Sequence, residues 1–246
     1  MSDSARLAVI VTGAGGGIGR SILDALLEVG ARIVAVDLPS SDLASVVDVH
    51  RAAGHDIWAV HADPTDPDVA AALVADAEEQ LGGLDALVHA VGVAGRGRIE
   101  EVDDHLWRTV IDGNLSSTFY LCRAMVPALR RRGRGSIVVL ASAAGLRGWP
   151  GSVAYSASKA GVVGLTRTLA GELGPEDIRV WSLCPTAVDT RMVSDALAAS
   201  DDPVAARAAY EAAQPMGRVI RPREIAEVVR HLLVDRPPFT PDPLVV

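Results

Sequence analysis

Aromatic side chains are scarce, at 4% of 246 residues, so a large interior here has to be filled by Ala, Val, Leu and Ile. A basic excess is also missing. With a formal net charge of -8 there is no cationic face to collect phosphates, which argues against general nucleic-acid or anionic-membrane binding. The one basic run, Arg130-Arg131-Arg132 with Arg134, lies between a helical pattern and an apolar strand and reads as a solvated helix terminus. Only two cysteines occur, Cys122 and Cys184. They lack metal-ligand spacing, and buried free thiols in a reducing cytosol are the expectation. No apolar run approaches the ~20 residues that span a bilayer, and Met1-Ser2-Asp3-Ser4 lacks a basic-then-apolar secretory pattern. A soluble, cytoplasmic protein without a metal site is expected.

What is plentiful is apolar surface, 49% of residues, and it is arranged as strands alternating with helices. Residues 7–11 form an unbroken apolar run, the mark of a strand covered on both faces. The run leads into Thr12-Gly13-Ala14-Gly15-Gly16-Gly17-Ile18-Gly19. Ile18, Ile22, Ala25, Leu26 and Val29 then recur at helical spacing until Gly30. In that setting the glycines let backbone N–H groups at a helix N-terminus face a pyrophosphate. A second apolar strand, 31–36, ends in Asp37, where an acid accepts hydrogen bonds from adenosine ribose hydroxyls and repels a 2'-phosphate. Neither Gly16 nor Leu38 supplies a cation for such a phosphate, so NAD is the expected cofactor.

A helix over 42–53 and a strand over 56–61 follow, the strand closing at Ala62-Asp63-Pro64. Next come a helix over 67–81, capped by Asp66 and ended by Gly82-Gly83, and a strand over 84–90. The alternation predicts an α/β fold: one domain with a three-layer, doubly wound parallel sheet of Rossmann type. Its ligands lie beyond the carboxyl ends of the strands, where the Gly-rich turn, Asp37, Asp63 and Gly92 all fall. The second half predicts a long helical pattern over 103–132, interrupted by Gly113 and Pro127, and a strand over 135–140 that delivers Ser142. A helix over 151–173, a strand over 178–183, a helical segment over 192–213, a turn at 215–218 and a helix over 223–234 complete the chain. On the 151–173 helix Tyr155 and Lys159 are four apart and share a face. A free phenol titrates near pH ~10, and a neighbouring cation favours the phenolate, which makes the pair a candidate proton-transfer device. By itself Y-x-x-x-K is equally a surface Tyr beside a solvated Lys, so the pair needs the rest of the chain to support it.

Thr12-Gly-x-x-x-Gly17-Ile18-Gly19, Asn114, Ser142, Tyr155-x-x-x-Lys159 and Pro185-x-x-Val188-x-Thr190 occur in that order, and together they resemble the short-chain dehydrogenase/reductase family. The resemblance covers the chain to about residue 234. It implies that Tyr155 is the general acid/base and that Lys159 lowers its pKa and holds the nicotinamide ribose. It further implies that Ser142 orients the substrate oxygen and that Asn114 holds a water in a relay to Lys159. Gly13, Gly17, Ile18 and Gly19 would surround the pyrophosphate, with Asp37 at the adenine ribose and Asp63 at the adenine. Pro185, Val188 and Thr190 would hold the carboxamide, with Leu38, Pro64, Ala90 and Gly92 completing the cofactor surface.

Three departures from the family pattern carry expectations of their own. His89-Ala90-Val91-Gly92 replaces Asn-Asn-Ala-Gly, and His89 is expected to be a structural substitute rather than a catalytic group. Thr186 stands where Gly is usual and is expected to be mildly strained. The tail 239–246 lacks the usual final strand sequence, which leaves a homodimer or homotetramer open. The implied reaction is NAD-dependent interconversion of a secondary alcohol and a ketone. A substrate segment over about 187–214 and a largely apolar pocket lined by Val93 to Arg96, Leu146, Trp149, Val193 and Leu197 would accept an apolar alcohol. The alternative is a non-catalytic NAD-binding sensor, which would have no need for Asn114, Ser142, Tyr155 and Lys159 together.

Overall fold

The computed structural model of the chain describes residues 6–214, 216–238 and 243–246. The N-terminal tetrapeptide, Pro215 of the predicted turn and residues 239–242 of the tail lie outside them. The elements are β1 (Ala8–Thr12), α1 (Gly17–Leu27), β2 (Arg32–Asp37), α2 (Leu43–Ala52), β3 (Ile57–His61), α3 (Pro67–Leu81), β4 (Ala86–His89) and α4 (Asp104–Ile111). They continue with α5 (Ser117–Arg132), β5 (Gly135–Leu140), α6 (Val153–Leu173), β6 (Ile178–Cys184), α7 (Arg191–Ala198), α8 (Pro203–Ala212), α9 (Pro222–Val234) and β7 (Leu244–Val245).

The strands form one parallel sheet in the order β3-β2-β1-β4-β5-β6-β7. Because successive side chains of a strand point to opposite faces, each apolar run feeds two cores. Ala8 and Ile10 of β1 pack with α3, α5 and α6, whereas Val9 and Val11 pack with α1, α2 and α9. Asp66 caps α3 by accepting from the backbone N–H groups of Asp68 at 2.8 Å and Val69 at 3.3 Å. Gly82 ends that helix in the left-handed region at φ 65, where a side chain is strained.

The sequence and the structure differ at four places in the fold. Of the two interruptions expected over 103–132, the one at Gly113 is a single π turn, Asp112–Ser116, between α4 and α5, an irregularity that re-aims side chains and clusters at functional sites, whereas α5 continues through Pro127. The helix expected over 192–213 is two, because Pro203 cannot continue α7 and Asp202 caps α8 through the N–H groups of Val204 and Ala205. The tail does form a last strand: Leu244 and Val245 pair in register with Leu183 and Cys184. Backbone groups alone make that ladder, so the unusual side chains do not prevent it. The arginine run is ion-paired rather than merely solvated, with Arg130 on Glu176, Arg131 on Glu78 and Arg132 on Asp85. Both cysteines are free and buried, and burial pushes the Cys122 thiol up to about 12, which makes it unreactive.

Candidate active site

Strand order reverses between β1 and β4, and the crevice beyond their carboxyl ends is the cofactor-sized feature of the molecule. It encloses about 790 Å³ and is lined by Gly13, Gly17, Ile18, Gly19, Asp37, Leu38, Asp63, Pro64, Ala90, Gly92, Ser142, Tyr155, Lys159, Pro185, Val188 and Thr190. The glycine turn is shaped by contact as well as by conformation. Gly13 has φ 70 and passes Ala90 so closely that a Cβ would lie 2.8 Å from its carbonyl carbon; a Cβ on Gly19 would lie 2.0 Å from the Gly13 oxygen. Gly16, the residue before α1, has no side chain to cap it, so the first N–H groups of the helix are left for a ligand at the positive end of the helix dipole. Asp37 is locked at the end of β2, one oxygen accepting from Gly15 N at 2.7 Å and the other from Leu38 N at 2.8 Å. Each oxygen keeps a lone pair for a further donor. A nicotinamide dinucleotide fits this cradle.

At the other end of the crevice Ser142 follows β5, and its Oγ accepts from Ala144 N at 3.1 Å, leaving the hydroxyl hydrogen to donate. Tyr155 and Lys159 share one face of α6. Burial raises the Tyr155 phenol above its ordinary value, and Ser142 pulls it back in part. The Lys159 ammonium lies 5.9 Å from the phenol ring centre and donates to the carbonyl oxygens of Leu140 at 2.8 Å and Val91 at 3.2 Å. It is itself only 2% exposed, and burial lowers it to about 8. A cation that desolvation penalises, held to two carbonyls, offers the phenol little. Lys159 is also the single lysine of the chain.

Asn114 lies in the π turn, buried behind the crevice. Its side-chain oxygen accepts from Val93 N at 2.8 Å while its nitrogen donates to Val93 O at 2.9 Å and Ser158 Oγ at 3.0 Å. The amide therefore clamps the chain leaving β4 against α6, one step from Lys159. Ser158 was not legible as a site residue in the sequence, because its partner is 44 positions away.

His89 has a position that the sequence suggested only in outline. It is 1% exposed, with Nδ1 2.6 Å from Thr12 Oγ1 and Nε2 3.2 Å from Ser117 Oγ. Ser117 donates its own hydrogen to Gly113 O at 2.8 Å. It must therefore accept from His89 Nε2–H, and Nδ1 accepts from Thr12, which is the neutral imidazole. Burial, with the Lys159 charge adding to it, lowers the imidazole to about 3. A pKa depressed below the unfolded ~6.5 means that the unfolded chain binds the extra proton as pH falls through that range. Stability is then full above about pH 6.5 and declines toward pH 3. Between pH 7.5 and 5 this amounts to about 2 kcal/mol. Urea unfolding should show that decline in the wild type and a smaller one in His89→Gln, which keeps a donor and an acceptor; equal declines would contradict this origin.

The family model of the short chain dehydrogenases matches residues 7–201. The chain belongs to the short-chain dehydrogenase family. An uncharacterised NAD-dependent oxidoreductase of Mycobacterium tuberculosis is 44% identical over 197 residues, covering 74% of this chain and 72% of that one. The 2-(S)-hydroxypropyl-CoM dehydrogenase 3 of Xanthobacter autotrophicus is 33% identical over 231 residues, covering 94% and 91%. The solved structure of a variant actinorhodin polyketide ketoreductase with NADPH superposes with a TM-score of 0.93 at 32% identity, covering 100% of this chain and 97% of that one. The short-chain dehydrogenases use a nicotinamide cofactor, and this chain is an oxidoreductase of that family.

Within this short-chain dehydrogenase Thr186 is unstrained: among the described residues only Asp177 and Arg236 have positive φ without being glycine. Its hydroxyl donates to the Gln214 side chain and its N–H to Val246 O at 3.1 Å. Gln214 Nε2 in turn donates to Tyr210 O at 3.1 Å. One threonine thus ties the end of α8 and the C-terminus to the loop after β6. A second cavity of about 160 Å³ adjoins Ser142 and Tyr155. Trp149, Met192, Val193 and Ala196 line it, but Leu146 and Leu197, expected there, do not. Leu146 is exposed and Leu197 is packed inward. Arg96, expected there, and Arg147 also line it and add charge to an otherwise mostly apolar wall.

Proposed function

We propose that this short-chain dehydrogenase interconverts a secondary alcohol and a ketone with NAD. The observation that carries the reading is the convergence of Ser142 and Tyr155 on both cavities at once. One cavity is shaped for a dinucleotide and the other for a small substrate. The nicotinamide supplies the hydride acceptor or donor. Ser142 donates to the substrate oxygen and Tyr155 passes the proton at its phenolic oxygen, while Lys159 and Asn114 hold the floor of the site through Leu140, Val91 and Val93. Gly13, Gly17, Ile18 and Gly19 hold the pyrophosphate, Asp37 the adenine ribose, and Pro185, Val188 and Thr190 the carboxamide. Helices α7 and α8, within 187–214, cover the substrate.

NAD rather than NADP is favoured by the Asp37 carboxylate, which accepts from Gly15 N and Leu38 N at the crevice and would repel a 2'-phosphate, while the nearby Arg20 is held by Gly15 O and Asp42. Buried free thiols suit a reducing cytoplasm. The exposed small residues Ala157, Ala160 and Gly164 of α6 form a face on which a second copy can pack. Sedimentation should therefore return a dimer or tetramer, and a monomer at micromolar concentration would oppose this. The test of the activity is NADH formation at mildly alkaline pH from a panel of secondary alcohols, with NAD and with NADP. Turnover with NAD only supports the reading; cofactor binding without turnover of any alcohol would oppose it.

A further inference from the structure

We infer that the substrate carries an oxyanion, a carboxylate, sulfonate or phosphate, held by Arg96 and Arg147 at the mouth of the substrate cavity. The inference rests on the oxidoreductase reading and specifies its substrate class. The cavity of about 160 Å³ that contains Ser142 and Tyr155 has arginines in its walls from two separate loops, Arg96 after β4 and Arg147 after β5. None of its lining residues is Asp or Glu. Arg130, Arg131, Arg132, Arg218 and Arg223, by contrast, are each paired with an acid. Arg96 and Arg147 are both exposed at the mouth of the cavity, so an anion can reach both guanidiniums from solvent while standing beside the reacting groups.

Both guanidiniums are nevertheless oriented. Arg96 donates to the Tyr210 hydroxyl at 3.2 Å. Arg147 lies 5.9 Å from the Trp149 ring centre, and the Trp149 and Tyr210 rings stack at 6.5 Å and 25°. An aromatic pair thus holds one cation on each side, leaving most guanidinium N–H groups free. Pre-oriented guanidinium forks are the side chains best matched to planar or tetrahedral oxyanions. With the carbinol carbon at Tyr155 and Ser142, the small cavity sets the anion only a few bonds away.

The test compares NAD-dependent oxidation of 3-hydroxybutyrate, 3-hydroxybutane-1-sulfonate and 3-hydroxybutyl phosphate with that of neutral 3-hydroxybutanamide. At least one anion should exceed the amide in kcat/KM by about 100-fold, and whichever does identifies the oxyanion. Arg96→Gln and Arg147→Gln should each cut that ratio about tenfold, and added salt should lower it because the arginines are near the surface. Arg147→Glu should reverse the preference toward the cationic 4-aminobutan-2-ol. A ratio near one in the wild type, or one that survives the double Gln variant, would overturn the inference. If no alcohol is oxidised, the oxidoreductase reading fails separately. Calorimetric titration of the same anions then decides the subsite: binding lost in the double variant upholds it, and no wild-type binding overturns it.

Discussion

Tyr155→Phe should lower NAD-dependent turnover by about 10²- to 10⁴-fold, the usual worth of a positioned acid/base, while cofactor affinity stays close to that of the wild type. The ring remains to fill its place on α6, so the loss reports the phenolic oxygen alone. The pH profile adds a second handle. Because burial raises the phenol, the base form is scarce at neutral pH. Alcohol oxidation should therefore climb about tenfold per pH unit into the alkaline range, whereas ketone reduction, which needs the protonated phenol, should be flat below that pKa and fall above it. Steady-state rates in both directions check this. A Phe variant with wild-type rates would remove Tyr155 from the chemistry, whereas an oxidation profile flat from pH 7 to 10 would show that the phenol is held ionised once the cofactor is bound. Lys159 is open to an independent check. As the single lysine it gives one side-chain ¹⁵N signal in selectively labelled protein, and that signal should titrate near the value of about 8 to which burial brings it.

Replacing Asp37 by Ala together with Leu38 by Arg should turn the ratio of NAD to NADP efficiency around by at least about 100-fold. A carboxylate facing a 2'-phosphate repels it, whereas a guanidinium pairs with it in bidentate fashion, and each tenfold change needs only about 1.4 kcal/mol. The structure separates the two substitutions. Asp37 also holds the turn through Gly15 N at 2.7 Å, so Asp37→Ala by itself should weaken both cofactors, and Leu38→Arg should restore only NADP. Cofactor titrations followed by fluorescence measure both changes. An unchanged ratio in the double variant would show that Asp37 does not select the cofactor.

Much of the architecture was legible because it rests on local pattern. The unbroken apolar run at residues 7–11 and the Val- and Ile-rich run at 31–36 marked strands covered on both faces, and helical spacing after Ile18 marked α1. Glycine spacing with Asp37 at the next strand end placed the cofactor crevice, and all the expected cofactor residues line it. Gly113 marked the break that became the π turn at Asp112–Ser116, but the break at Asp202-Pro203 was missed, because a cap and a missing N–H outweigh the helix preference of an Ala-rich stretch.

By itself the sequence determined the strand-helix alternation, the family and the set of residues around the crevice, since these follow from periodicity and from motifs a few residues long. Only the tertiary structure decided the electrostatics and the substrate end. The direction of the Tyr155 shift depends on how deeply α6 is covered and on where Lys159 points. The neutrality of His89 depends on Thr12 and Ser117, 77 and 28 positions away. The charge of the substrate pocket depends on Arg96 and Arg147, which meet through Trp149 and Tyr210 across more than a hundred residues of chain. Burial and long-range pairing set these properties, and neither has a local sequence period to reveal it.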